Sequence, residues 1–245
     1  MILPVAILAG GLATRLRPVT DTIPKSLLDV GGKPFAAHQL DLLSRAGVTR
    51  VVFCVGYRGD MVEQALGDGS RWGLSIRYAA DGPALLGTGG ALRRALPELG
   101  ERFLVLYGDS YLACDYAAVE RAFLSSEQPA LMTVVRNDNR WDRSNVEFRD
   151  GRIVKYDKAN PASAMHHVDY GLGAMHASVL SAPRPDGVGA ARPAGEAFDL
   201  ADVYRDLAAR GDLAGFEVAD RFYEIGSPEG LAETRALLGG RGASS

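Results

Sequence analysis

The chain is poor in the residues that build metal centres and disulfide frameworks: its 245 residues include two cysteines and four histidines. Cys54 and Cys114 stand in apolar surroundings without CxxC or other metal spacing, so they read as reduced core residues of a cytosolic protein. His166 and His167 are neighbours and cannot point the same way on a helix or a strand. With no suitably spaced third ligand, a zinc site is not supported. The histidines, His38 and His176 included, read as surface or packing residues, with a substrate contact left open to one of them. Excess charge is missing too. A net charge of −3 excludes a strong electrostatic footprint for nucleic acid. No basic stretch precedes the first apolar run, which is too short for a signal peptide or a membrane span. The run therefore reads as a core strand, and the expectation is a cytoplasmic protein without a membrane partner. There is no internal repeat or heptad, and neither GxxxxGK[ST] nor GxGxxG occurs.

What is present is enough apolar residue, 47%, to bury a full core as one large α/β domain or two. Strand patterns at Pro4–Leu8, Arg50–Val55, Ser75–Tyr78 and Phe103–Tyr107 alternate with helical spacing at Phe35–Ala46, Met61–Leu66, Thr88–Leu96 and Asp115–Phe123. That rhythm predicts a mostly parallel sheet with right-handed crossovers. From Pro129 the pattern changes to short strands near Leu131–Val135, Asn145–Phe148 and Arg152–Tyr156, with Asp150-Gly151 as a hairpin turn. Leu200–Arg210 and Pro228–Leu238 read as helices, Pro183–Gly195 as an exposed loop, and Gly239–Ser245 as a frayed tail.

The stretch Leu8–Leu27, LAGGLATRLRPVTDTIPKSL, holds the densest chemistry. Leu8 and Ala9 end the first strand, and Gly10-Gly11 then let the backbone turn sharply and approach a ligand closely. Successive N–H groups after a strand form an anion cradle. Arg15, Arg17 and Lys25 bring three cations to the same loop, a guanidinium fork and an ammonium point charge among them. Pro18 and Pro24 stiffen it. A second glycine-rich stretch, Asp81–Ala91, follows a strand and opens a helix. The helix's first amides could hold a base edge or a phosphate, and Thr88 has the character of an N-cap. Leu104–Asp109 is an apolar strand ending in Gly108 and a carboxylate, at the end of the sheet where open α/β folds bind ligands.

These motifs together resemble the signature of the sugar-1-phosphate nucleotidyltransferases: Gly10-Gly11, Thr14-Arg15-Leu16, Pro18, Thr20, then Pro24-Lys25, Leu27 and Gly32-Lys33-Pro34. The resemblance extends over nearly the whole chain. It implies a Rossmann-like mixed, mostly parallel sheet flanked by helices, as one nucleotidyltransferase domain over 1–240 with a tail at 241–245. Within it, about 1–125 would bind nucleotide and about 126–240 the sugar phosphate. The resemblance also assigns roles. Leu8, Ala9, Gly10, Gly11, Asp81, Gly87, Thr88 and Gly108 would bind the nucleotide, and Arg15, Lys25, Asp109 and Lys158 would be catalytic. Asp109 would bind Mg²⁺, which needs only one or two carboxylates beside phosphate oxygens and water. Glu224 stands where the family's second metal aspartate is usual. On the sugar side fall Asn145, the pair Asp157-Lys158 in place of the family's Glu-Lys, and Asp169-Tyr170-Gly171 in place of its Asn-x-Gly.

The form Leu86-Gly87-Thr88-Gly89-Gly90-Ala91 looks more like the guanylyl and heptose branch than the thymidylyl and uridylyl enzymes, with Asp81 placed to accept from guanine N1–H and N2–H. The implied reaction is in-line attack by a sugar 1-phosphate, of heptose or mannose type, on the α-phosphorus of GTP, with pyrophosphate leaving. Uridylyl transfer to N-acetylmuramate 1-phosphate is a rival within the class, because Gly67–Arg71 also resembles that branch. A non-catalytic nucleotide or sugar sensor is the rival from another class. A nucleotide-sugar glycosyltransferase would want a DxD motif, which Asp109-Ser110-Tyr111 is not.

Overall fold

The computed structural model describes residues 2–181 and 196–240. The expected loop at 183–195 and the tail at 241–245 lie outside the described residues. In chain order the strands are β1 (Val5–Leu8), β2 (Asp29–Val30), β3 (Lys33–Pro34), β4 (Arg50–Val55), β5 (Ser75–Ala80), β6 (Arg102–Tyr107), β7 (Ser110–Tyr111), β8 (Ala130–Arg136), β9 (Val146–Arg149), β10 (Arg152–Tyr156), β11 (His167–His176), β12 (Leu213–Val218) and β13 (Tyr223–Glu224). The helices are α1 (Phe35–Arg45), α2 (Gly59–Leu66), α3 (Gly87–Leu99), α4 (Tyr116–Ser126), α5 (Ser178–Ser181), α6 (Leu200–Arg210) and α7 (Pro228–Gly239). Gly239, expected to fray, closes α7. None of the described helices is long and apolar enough to cross a membrane.

Nine strands form one mixed sheet in the order β5-β4-β1-β6-β11-β8-β12-β10-β9. β5, β4, β1 and β6 run parallel, as continuous apolar strands do when both faces are covered. Side-chain alternation divides the interior. Val5, Ile7, Val51 and Phe53 pack with α1, α2 and α4 on one face, while Ala6, Val52, Cys54 and Val105 pack with α3 and α6 on the other. Beyond β6 the pairing turns antiparallel through β11, with β8 and β12 parallel to each other.

The turn between β9 and β10 matches its sequence. Asp150 and Gly151 both adopt positive φ, 48° and 74°, as a two-residue type I′ turn requires. β11 and β12 were not expected from sequence. β11 reads HVDYGLGAMH, and its aspartate and glycines are poor strand formers, but burial between β6 and β8 overrides them. Its register slips between Asp169 and Gly173, a bulge that re-aims side chains where the sheet changes direction. A third, smaller core joins Leu16, Leu28, Val30, Phe35, Tyr111, Ile225 and Leu238. It pins the Leu8–Leu27 stretch against α7 and the β7–β13 pair.

Candidate active site

The parallel strands deliver their carboxyl ends to one place. A cavity of about 310 Å³ is lined by Leu8, Ala9, Gly10 and Gly11 after β1, Cys54 in β4, Asp81 after β5, Gly87 and Thr88 at the start of α3, and Gly108-Asp109 after β6. All eight residues expected to bind nucleotide line it. Gly108 is required sterically, since a Cβ there would stand 2.5 Å from the Leu8 carbonyl oxygen; one on Gly10 would be a tight 3.1 Å from the Gly56 nitrogen, and one on Gly11 would meet open space. Cys54 faces the cavity as a neutral thiol, since burial pushes it up to about 12.

Asp81 is buried. One of its oxygens accepts from the Leu86 N–H at 3.1 Å, and the other, also buried, has no hydrogen-bond partner among the described residues. Burial raises this carboxyl above its ordinary range, and the Leu86 hydrogen bond opposes the shift. The site thus holds an acceptor in want of a donor.

Two sequence expectations fail around α3. Thr88 does not cap its own helix; its hydroxyl oxygen accepts from the Leu200 N–H at 2.7 Å and so caps α6 instead. The Gly89 and Gly90 amides are not open to a ligand either, because both donate to the Phe198 carbonyl at 2.9 and 3.2 Å. The segment before α6, distant in sequence, has taken the helix start.

A second cavity, of about 400 Å³, shares Tyr107 and Asp109 with the first. Arg15, Asn145, Lys158, Asp169, Tyr170, Gly171 and Glu224 line it, so the expected sugar-side residues meet there with one exception. Asp157 lines neither cavity; its carboxylate accepts from the Ala159 and Asn160 amides at 3.0 and 2.9 Å and closes its own turn. Arg17 likewise leaves the constellation to pair with Asp21 at 3.1 Å. Arg15 forms no ion pair among the described residues and faces the cavity, held by its neighbour Leu16 in the small core. The histidines pack elsewhere: His38 bonds the Val30 carbonyl, His166 pairs with Asp138 and His167 with Glu217.

At the shared edge, Lys25 Nζ lies 2.6 Å from Asp109 Oδ2. β13 pairs with β7 so that Glu224 stands opposite Ser110, and the Ile225 N–H donates to the Asp109 carbonyl at 2.9 Å. This brings the two carboxylates together. A Cβ on Gly226 would sit 3.3 Å from Asp109 Oδ2 and 3.4 Å from both Glu224 oxygens, so three carboxylate oxygens surround one small hollow. Burial, then repulsion from Asp109, raises the Glu224 carboxyl. Two crowded carboxylates, one of them paired with a lysine, form an oxygen-donor set that suits a hard divalent cation. No cluster of three or more metal-ligating side chains forms among the described residues, so phosphate and water would complete such a shell.

Sequence reasoning missed Tyr107 and Asp199. Tyr107 precedes the Gly-Asp pair and lines both cavities; its position at the strand end was the available signal. Asp199 lines the first cavity beside Thr88, 111 residues away in sequence, and no local pattern marks it.

Comparison with known proteins gives the family and the fold. The family described as nucleotidyl transferase matches residues 5–145. An N-acetylmuramate alpha-1-phosphate uridylyltransferase from Neisseria meningitidis is 33% identical over 95% of this chain and 97% of its own length. Mannose-1-phosphate guanyltransferase beta-B from Xenopus laevis is 29% identical over 91% of this chain, which spans 61% of that protein. HddC from Yersinia pseudotuberculosis, solved with GMP-PN, superposes with a TM-score of 0.75 at 23% identity, covering 97% of this chain and 100% of that one. The chain belongs to the sugar-1-phosphate nucleotidyltransferase family, whose members join a nucleotidyl group to the phosphate of a sugar.

Proposed function

We propose that this chain transfers a guanylyl group from GTP to a sugar 1-phosphate of heptose or mannose type, releasing pyrophosphate. The observation that carries the choice of base is the unpartnered, buried oxygen of Asp81 in the nucleotide cavity. Guanine offers two adjacent donors, N1–H and N2–H, to such a carboxylate. Uracil offers one N–H flanked by two carbonyl oxygens, which a carboxylate repels. The guanyltransferase relative supports a mannose-type acceptor.

Asp109 and Glu224 would hold Mg²⁺, whose charge offsets that of the reacting phosphates. The chain's own residues do the remaining work. The Gly10-Gly11 turn admits the triphosphate close to the backbone. Arg15, which lines the second cavity and forms no ion pair among the described residues, would face the reacting phosphates and stabilise the departing pyrophosphate. Lys25, beside Asp109, presents positive charge from the nucleotide side, and Lys158 does so from the sugar side. The attacking phosphate is already anionic, so no protein nucleophile is needed; positioning and charge neutralisation account for the rate.

A second reading, uridylyl transfer to N-acetylmuramate 1-phosphate, is favoured by the Neisseria relative, which matches over almost its full length. Pyrophosphate release with Mg²⁺, measured for GTP, UTP, CTP, ATP and dTTP against a panel of sugar 1-phosphates, separates them. Preference for GTP supports the proposal, and preference for UTP replaces it with the second reading. Nucleotide binding without release from any pair would leave a sensor.

A further inference from the structure

Lys158 belongs to a class of side chain that is long, flexible and strongly hydrated, yet its ammonium is bracketed on three sides. Nζ lies 5.4 Å from the Tyr107 ring centroid, 5.8 Å from that of Tyr156 and 3.6 Å from Asp169 Oδ2. Asp169 is itself held. Its side chain is 5% exposed, its Oδ1 accepts from the Gly171 N–H at 3.0 Å, and its Oδ2 accepts from the Tyr156 hydroxyl at 3.3 Å. The Asp169 N–H donates to Asn145 Oδ1 at 3.2 Å. The β11 bulge makes this possible, since Gly171 adopts φ +100°. Tyr156 is braced from behind by Tyr204 of α6, edge to face at 6.2 Å.

We propose that Tyr156 and Asp169 are positioning residues that preset Lys158 for the sugar phosphate, and that Asp169 does not bind the sugar directly. Its oxygens are already committed to Gly171, Tyr156 and Lys158. Tyr156 serves as the donor because burial, reinforced by the Asp169 charge, keeps its phenol protonated. A cation placed between two ring faces and a fixed carboxylate loses less freedom when the anion arrives. The inference rests on the transfer reading for its purpose, but the cradle itself can be tested without substrate.

The chain has four lysines, Lys25, Lys33, Lys155 and Lys158, so reductive ¹³C-dimethylation gives a simple NMR spectrum that keeps the charges. The Lys158 resonance, identified by its loss in Lys158→Arg, should lie upfield of exposed Lys155 through the ring currents of Tyr107 and Tyr156. In Asp169→Asn it should move to the Lys155 position. A wild-type resonance already at that position overturns the proposal. In the transfer assay, Tyr156→Phe should raise KM for the sugar 1-phosphate about three- to ten-fold, the scale of one hydrogen bond. KM for the nucleotide should hold, and the effect should vanish in a Lys158→Ala background. An additive double mutant also overturns it. If wild type releases no pyrophosphate with any sugar 1-phosphate, the transfer reading fails, and the resonance still decides the cradle.

Discussion

The two cavities meet at Tyr107 and Asp109 but are built by opposite means. The cavity proposed for the nucleotide is made largely of backbone: turns at the ends of parallel strands, with a glycine, Gly108, where a Cβ would strike a carbonyl. The cavity proposed for the sugar phosphate is made of side chains, carried on antiparallel strands and arranged by a bulge and a hydrogen-bonded network. A phosphate-bearing ligand common to a family can be met by fixed backbone geometry. A sugar must be told from its isomers, which side chains do better, and side chains change more freely without loss of the fold.

Substitution at the seam should break both halves at once and so have the largest effect. Asp109→Ala is expected to lower kcat by about 10³-fold or more, removing the proposed cation ligand and the partner of Lys25 together. Pyrophosphate release by a variant with an unchanged circular dichroism spectrum checks this. Arg15→Ala should cost about 10²–10³-fold in kcat, since it removes one preorganised cation and leaves both cavities formed. Asp81→Asn should divide the halves: KM for the nucleotide rises about 10- to 100-fold, on the scale of a lost charged hydrogen-bond pair, while KM for the sugar 1-phosphate holds.

The smallest effect is on stability. The Asp81 carboxyl is raised in the folded chain, so it binds its proton more tightly folded than unfolded. Its ionisation therefore opposes folding as pH rises from the ordinary carboxylate value of about 4 through the raised one. Asp81→Asn should melt a few degrees above wild type at neutral pH, with the gap closing as the pH is lowered. Thermal melts across that range test the sign.

Legibility in the sequence follows the same division. β4, β10 and α6 have the bounds that their apolar spacing predicts, and the Gly10-Gly11 and Gly108-Asp109 turns line the cavity expected of them, because both follow from local backbone rules. β11 was hidden because its strand state depends on burial between distant neighbours. Asp157 was misplaced because its carboxylate satisfies two amides in its own turn. Thr88 looked like a cap and is one, but for α6, a helix that begins more than a hundred residues later. Local chemistry identifies the kind of group, and the tertiary fold decides which partner it meets.

Asp81 is proposed to read guanine within a nucleotidyl-transfer site. Competing GTP and UTP at equal concentration, with Mg²⁺ and a mannose-type sugar 1-phosphate, tests it most directly. The GDP-sugar should dominate in wild type, and this preference should collapse in Asp81→Asn. A UDP-sugar as the main product, or a GTP preference untouched by Asp81→Asn, would contradict it.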